Sequence, residues 1–133
     1  MADLIEFAAT SVIDRGDGIR SVALTPVPLP DQPFTMGVTT FPPGMSIALH
    51  SHNCVEQVTV IEGEALVELN GKTRPAVPYD TTQVPAGEFH RFINAGSEPM
   101  RILWVYGSTD VTRTFPDGRT VSQFESPNRS EQS

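Results

Sequence analysis

Gly44-Met-Ser-Ile-Ala-Leu-His50-Ser-His52-Asn-Cys54-Val-Glu56-Gln57-Val-Thr-Val-Ile-Glu-Gly63 is the stretch on which the reading of this chain turns. Between its two glycines it is apolar and β-branched, the composition of strands. Successive side chains of a strand point to opposite faces, so His50 and His52 project from one face with their imidazoles close together. Glu56 follows four residues on. Imidazole nitrogens with one carboxylate oxygen suit Fe, Mn, Co, Ni or Zn, whereas Ca and Mg prefer oxygen alone. The stretch therefore reads as half of a transition-metal site.

One histidine remains in the chain, His90, in Pro85-Ala-Gly87-Glu-Phe-His90-Arg-Phe92-Ile-Asn94. A lone histidine on an apolar strand is ordinarily a satisfied core residue, but here all three histidines fall into two spaced motifs. Together the two segments resemble the paired signatures of the cupin superfamily. The first signature is G, five residues, HxH, three or four residues, E, six residues, G, and Gly44, His50, His52, Glu56 and Gly63 match every fixed position. The second is G, five residues, PxG, two residues, H, three residues, N, matched by Pro85, Gly87, His90 and Asn94. Tyr79 stands where its leading glycine would be, a departure that bears on the turn. The interval from Glu64 to Pro78 is 15 residues, as in small single-domain cupins, and the resemblance covers residues 34–107.

The resemblance implies an all-β, jelly-roll (cupin) β-barrel with His50, His52, Glu56 and His90 as ligands to one divalent transition metal per chain. Four ligands on an ion that accepts five or six leave open positions, the mark of a catalytic rather than a structural site. Gln57 competes with Glu56, since some related small cupins use glutamine as a ligand; the spacing to Gly63 and strand alternation select Glu56. Cupins with three histidines and a glutamate include quercetin-type and acireductone dioxygenases, oxalate-cleaving enzymes, and lyases or isomerases of small oxygenated acids. For a protein resembling them the expectation is a small substrate whose adjacent oxygens chelate the metal, with Glu56 as the catalytic proton acceptor. Dioxygenase-like chemistry leads. Redox-neutral isomerisation or elimination on a small sugar acid or carboxylate is the first alternative, and a non-catalytic binding or sensory cupin the second.

Working outward, strand-like pieces recur with Gly and Pro between them. They are Arg20 to Val27, Phe34 to Phe41, Met45 to His52, Val55 to Ile61, Glu64 to Leu69, Lys72 to Val77, Asp80 to Val84, Phe89 to Asn94, Met100 to Gly107, Val111 to Phe115 and Thr120 to Phe124. Spacing of this kind argues for a sandwich or barrel. Asn70-Gly71 is the favoured pair of a type I′ hairpin, which pairs Lys72 to Val77 with Ala65 to Leu69. Ile102, Trp104 and Tyr106 share a face, and Phe92 alternates with His90 and Asn94. Phe92, Trp104 and Tyr106, with Cys54 beside the ligands, are the candidate substrate pocket. Arg91 and Arg101 read as solvated rim, and Asn94 as turn support.

Residues 1–19 read as an arm ending in a turn, 20–125 as the barrel domain, and 126–133, polar and without apolar anchors, as a disordered tail. With 133 residues and a formal net charge of -7, the chain is one domain without the basic surface that nucleic acid or anionic membrane requires. The single cysteine, Cys54, has no internal disulfide partner. The N-terminus lacks the basic start and long apolar run of a secretory signal, so the expected compartment is the cytoplasm. All histidines are assigned to the metal, which leaves none for a Ser/His or Cys/His nucleophilic pair, and no P-loop is present. Met45, Ile47 and Leu49 occupy the face opposite His50, and two apolar faces on one strand suggest that a second barrel covers the outer one, as a homodimer.

Overall fold

The computed structural model describes residues 2–124. Strands β1 (Val12–Gly16), β2 (Ile19–Ala23), β3 (Thr35–Phe41), β4 (Ser51–His52), β5 (Glu56–Glu62), β6 (Ala65–Leu69), β7 (Lys72–Ala76), β8 (Thr81–Val84), β9 (His90–Asn94), β10 (Met100–Tyr106), β11 (Thr112–Thr114) and β12 (Thr120–Ser122) follow a single 3-10 turn at Phe7–Ala9. One layer is a six-stranded sheet in the order β1-β2-β3-β10-β5-β8. The other is made of two three-stranded pieces, β7-β6-β9 and β12-β11-β4. Isolated bridges between Ser46 and Ile93 and between His50 and His90 join these pieces edge to edge. The result is the expected jelly roll, and no helix among the described residues is long and apolar enough to cross a membrane.

β10 explains how the layers hold together. It pairs with β3 on one side and β5 on the other, and its burial alternates strictly. Met100, Ile102, Trp104 and Tyr106 all point inward at 3 % exposure or less. They pack with Ile19, Phe41, Val58, Val60, Val67 and Phe92 between the sheets. Each buried side chain of this size contributes roughly 1.5–3 kcal/mol. Trp104 lies directly across from Gly37, where any side chain would collide, since a Cβ there would sit 2.2 Å from the indole. Its indole N–H, which has to find an acceptor once buried, donates to Thr39 Oγ1 at 2.8 Å.

Two boundaries differ from the sequence reading. The arm expected over residues 1–19 contains β1, which turns through Gly16, Asp17 and Gly18, all at positive φ, to pair with β2. A short strand carrying Asp14 and Arg15 lacks the apolar alternation that betrays most strands. The strand expected over Met45 to His52 is regular only at Ser51–His52; from Met45 to His50 it tracks β9 through scattered bonds such as Asn94 N–H to Met45 O and His50 N–H to His90 O. Because that run is irregular, Ile47 turns inward with His50 instead of opposing it. The outer-face argument for a partner barrel thus keeps only Met45, which is exposed, and Leu49, half-buried. The disorder expected for 126–133 lies outside the described residues.

Asn70-Gly71 forms the expected turn with both residues at positive φ. Tyr79 shows what replaces the missing glycine: it takes φ 78° itself while 82 % exposed. Its N–H bonds Val60 O, and Asp80 Oδ2 accepts from Val77 N–H at 3.0 Å, so the turn is imposed by its neighbours. A left-handed non-glycine residue costs about 1–2 kcal/mol, and a glycine returns about 0.5–1 kcal/mol of that as unfolded-state entropy. Tyr79→Gly is therefore expected to stabilise the fold by about 0.5–1 kcal/mol and raise Tm by roughly 2–5 °C in thermal unfolding. An unchanged or lower Tm would contradict this account.

Candidate metal centre

The irregular segment, β4, β5 and β9 bring His50, His52, Glu56 and His90 to one point inside the barrel, all at 5 % exposure or less. Candidate ligand nitrogens of the three histidines lie within 4.8 Å of one another. His50 Nε2 and His52 Nε2 are 3.1 Å apart, and Glu56 Oε1 is 3.0 Å from His90 Nε2 and 3.5 Å from His52 Nε2. Gln57, on the opposite face of β5, is exposed and away from the histidines.

The outer nitrogens decide what the inner ones can do. Each Nδ1 meets a backbone carbonyl: His50 meets Ala48 O at 2.6 Å, His52 meets Thr112 O at 3.0 Å and His90 meets Glu88 O at 3.0 Å. A carbonyl can only accept, so each Nδ1 carries a proton and, in the neutral ring, each Nε2 presents a bare lone pair. Two lone pairs facing one another at 3.1 Å repel unless a cation lies between them. Carbonyl-anchored imidazoles with converging lone pairs are how proteins orient histidines on a metal. The donor set, three imidazoles beside one carboxylate oxygen, fits a first-row transition ion.

The electrostatics divide the histidines. Burial, reinforced by His52 and His90, holds the His50 pKa well below its ordinary value. Burial likewise pushes His52 down to about 4, against the pull of Glu56. His90 goes the other way: burial lowers its pKa, but the hydrogen bond to Glu56 and that carboxylate's charge outweigh it, and the net shift is upward. The Tyr106 hydroxyl is raised well above its usual value by burial, by the Glu56 charge and by hydrogen bonding to Glu56, so Tyr106 is a donor and never an anion at physiological pH.

A cavity of about 30 Å3 opens beside His50 and Glu56, and Phe92, Trp104 and Tyr106 form part of its wall. Cys54 does not line it; the thiol is half-buried against the core, and burial raises its pKa. Asn94 is wholly buried and fully bonded, donating to Phe41 O and Glu98 O and accepting from Gly96 N–H, which makes it the clamp of the β9–β10 turn. The same cavity is lined by Arg15, Ser21, Thr39, Arg113 and Gln123, none of which the sequence reading singled out. The available signal was Arg15 two residues after Ile13, a charge at an inward position of a short strand.

A two-layered β-barrel with three histidines and a carboxylate gathered inside it is a small barrel with a candidate metal site. The profile of the Cupin_2 family, a cupin domain, matches residues 37–106, and the chain belongs to that family. It is 35 % identical over 91 residues to a curated protein from Streptomyces cyaneus described as polyketide synthase CurC, covering 68 % of this chain and 58 % of the relative's length. Among solved structures it is similar to a sugar phosphate isomerase of the cupin superfamily from Silicibacter pomeroyi, with TM-score 0.70, 21 % identity and coverage of 98 % and 99 % of the two chains. It is also similar to KdgF from Halomonas sp., with TM-score 0.66, 20 % identity and coverage of 83 % and 97 %. At these identities the structural likeness speaks to the fold.

Proposed function

We propose that this chain is a metal-dependent enzyme in which His50, His52, His90 and Glu56 hold one divalent transition metal and a small oxygenated metabolite occupies the positions left open. The observation that carries the reading is the set of backbone-anchored imidazoles whose inner nitrogens converge beside Glu56. Such a metal would supply Lewis acidity toward an enol, keto or carboxylate oxygen. The chain's own residues do the rest. The three histidines fix position, Phe92 and Trp104 exclude water, and Tyr106 donates a hydrogen bond. Glu56 Oε1, already within hydrogen-bond reach of its neighbours, accepts a proton.

Of the two chemistries, the redox-neutral one, isomerisation or elimination on a small acid, fits the cavity better. Phe92, Trp104, Ile47 and Ile102 give the cavity apolar walls, but Arg15, Arg113, Ser21, Thr39 and Gln123 set polar groups among them that suit a small acid. The relative's description as a polyketide synthase adds 1,3-diketones to the substrates worth trying. The test is to load metal-free protein with Fe(II), Mn(II), Ni(II) or Zn(II) and screen diketones, flavonols, oxalate and uronates with and without O2. Turnover without O2 supports the redox-neutral reading. O2 uptake with Fe(II) alone supports the dioxygenase, and tight binding without turnover under every metal sinks the enzyme.

The pKa directions predict how acid removes the metal. His90, raised above the ordinary 6.5, is the imidazole that takes up a proton first as pH falls, so it is the first from which metal uptake must displace one. His50 and His52, both lowered, are already neutral, and His52 charges only near about 4. Apparent metal affinity is therefore expected to fall about tenfold per pH unit as pH drops below the His90 pKa, and more steeply as His52 begins to charge. Competition titrations across that range, with proton release counted by calorimetry in two buffers, check it. Release of two or three protons near neutrality would contradict the division.

A further inference from the structure

The cavity beside His50 and Glu56 measures about 30 Å3, room for two or three waters at about 10–15 Å3 each and so for the reacting end of a ligand only. Beyond it, toward the N-terminal segment, a groove of about 820 Å3 opens, with Leu4, Ile5, Ile13, Ala23, Pro26 and Phe124 in its lining. We propose that groove and cavity are two halves of one binding site: the oxygen-bearing head of a ligand sits on the metal, and an apolar chain or ring attached to that head lies in the groove. The inference rests on the metal reading above and extends that site outward.

Continuity makes the first argument. Side chains an even number of residues apart on a strand share a face. On three neighbouring strands one member of such a pair lines the groove and the other the cavity: Ile13 and Arg15 on β1, Ala23 and Ser21 on β2, Thr35 and Thr39 on β3. Groove and cavity therefore lie end to end along the inner face of one sheet. What parts them is Trp104, whose indole lies over Gly37 between Thr35 and Thr39, and Phe124, whose ring packs on that indole with centroids 6.3 Å apart. The chain crosses the boundary in a single step, since Gln123 lines the cavity and Phe124 the groove.

The lining makes the second. Glu6 is the one charged residue on the groove among the described residues. Three of its threonines spend their hydroxyls on the backbone: Thr10 donates to Glu6 O at 2.8 Å, Thr35 donates to Ser108 O at 2.9 Å, and Thr25 accepts from Met36 N–H at 3.2 Å. A concave, mainly apolar surface of this size with few polar groups is the ordinary form of a small-molecule site. Leu4 at 80 % exposure and Ile5 at 40 % stand open to water at its rim, a contact that an apolar ligand chain would relieve. On the cavity side the chemistry changes. Gln123 Oε1 is buried there with no hydrogen-bond partner among the described residues, an acceptor suited to an N–H or O–H on the ligand's head.

Zinc-loaded protein provides the test, because zinc leaves tryptophan emission intact and Trp104 is the chain's single tryptophan. Acetohydroxamate and hexanohydroxamate grip a metal through the same pair of oxygens and differ only in the length of the alkyl chain. Each buried methylene strengthens binding about fourfold, so hexanohydroxamate is expected to bind at least about 30-fold tighter in calorimetric titrations. A ligand joining the two halves displaces the Phe124 ring from the indole, so hexanohydroxamate should also shift the Trp104 emission further than acetohydroxamate does. Ile5→Glu, at the open rim, and Ala23→Leu, which adds bulk to the floor, should each cut the advantage of the longer chain to below about fivefold while acetohydroxamate changes less than about threefold. Val77→Glu, at a half-exposed apolar residue outside the groove, should change neither. Should Ala23→Leu misfold, Ile5→Glu on the exposed N-terminal segment decides. An advantage absent from the wild type, or one that survives in the variants that fold, overturns the groove half and leaves the metal reading standing; a wild type without the advantage that is dimeric by light scattering gives the groove to a second copy. Wild-type protein that takes up no zinc, or binds no acetohydroxamate, overturns the metal reading instead, and the two-part site with it.

Discussion

His50→Ala is expected to reduce bound metal from about one ion per chain to near zero while leaving the barrel folded. His50 contributes one of the converging lone pairs, and its Nδ1 is tied to Ala48 O, so no neighbouring side chain can take its place. Loss of a partner that merely orients a ligand costs 10- to 100-fold in metal affinity, and loss of the ligand should cost at least about a hundredfold. The fold has little to lose, because the core between the sheets is built from apolar side chains of β2, β3, β5, β6, β7, β9 and β10, and the alanine removes one buried polar ring. Metal at roughly a thousand times its Kd would stabilise the wild type by about 4 kcal/mol, a Tm rise on the order of 10–15 °C. In the variant that rise should vanish. Elemental analysis and thermal unfolding with and without metal check both halves, and a variant retaining about one ion per chain would remove His50 from the site.

What could be read from sequence, and what could not, follows from how each signal is encoded. The histidines were legible because residues two apart on an extended chain share a face, and that survives the irregular backbone from Met45 to His50. Ile47 was misplaced for the same reason, since alternation counted across an irregular segment assigns the wrong face. β10 was legible because Ile102, Trp104 and Tyr106 alternate without a break. Arg15 and Arg113 were not, because hydropathy treats every arginine as solvated, and their burial depends on strands far apart in sequence closing around one cavity. Tyr79 falls between these cases: the motif marked the position as a turn, while the cost of placing a tyrosine there is visible only in its φ.

The sharpest question about the reaction is whether Glu56 only holds metal or also moves a proton, and Glu56→Gln separates the two. The amide keeps the shape and an oxygen donor but loses basicity. If Glu56 were a ligand alone, raising the metal concentration until the site is full would restore turnover. With Glu56 as proton acceptor, kcat at saturating metal is expected to stay down by about 10²- to 10⁴-fold, the usual contribution of a positioned base. The substitution also carries its own internal control. The hydrogen bond and charge of Glu56 lead the groups that raise the His90 pKa against burial, ahead of Glu88, and with that charge gone the His90 pKa should fall. Metal uptake by Glu56→Gln should then release fewer protons than uptake by the wild type at the same pH, and the affinity should depend less on pH over the same range. A variant whose proton release matches the wild type would mean that Glu56 does not set the charge of His90, and the pairing at 3.0 Å would lose its functional meaning.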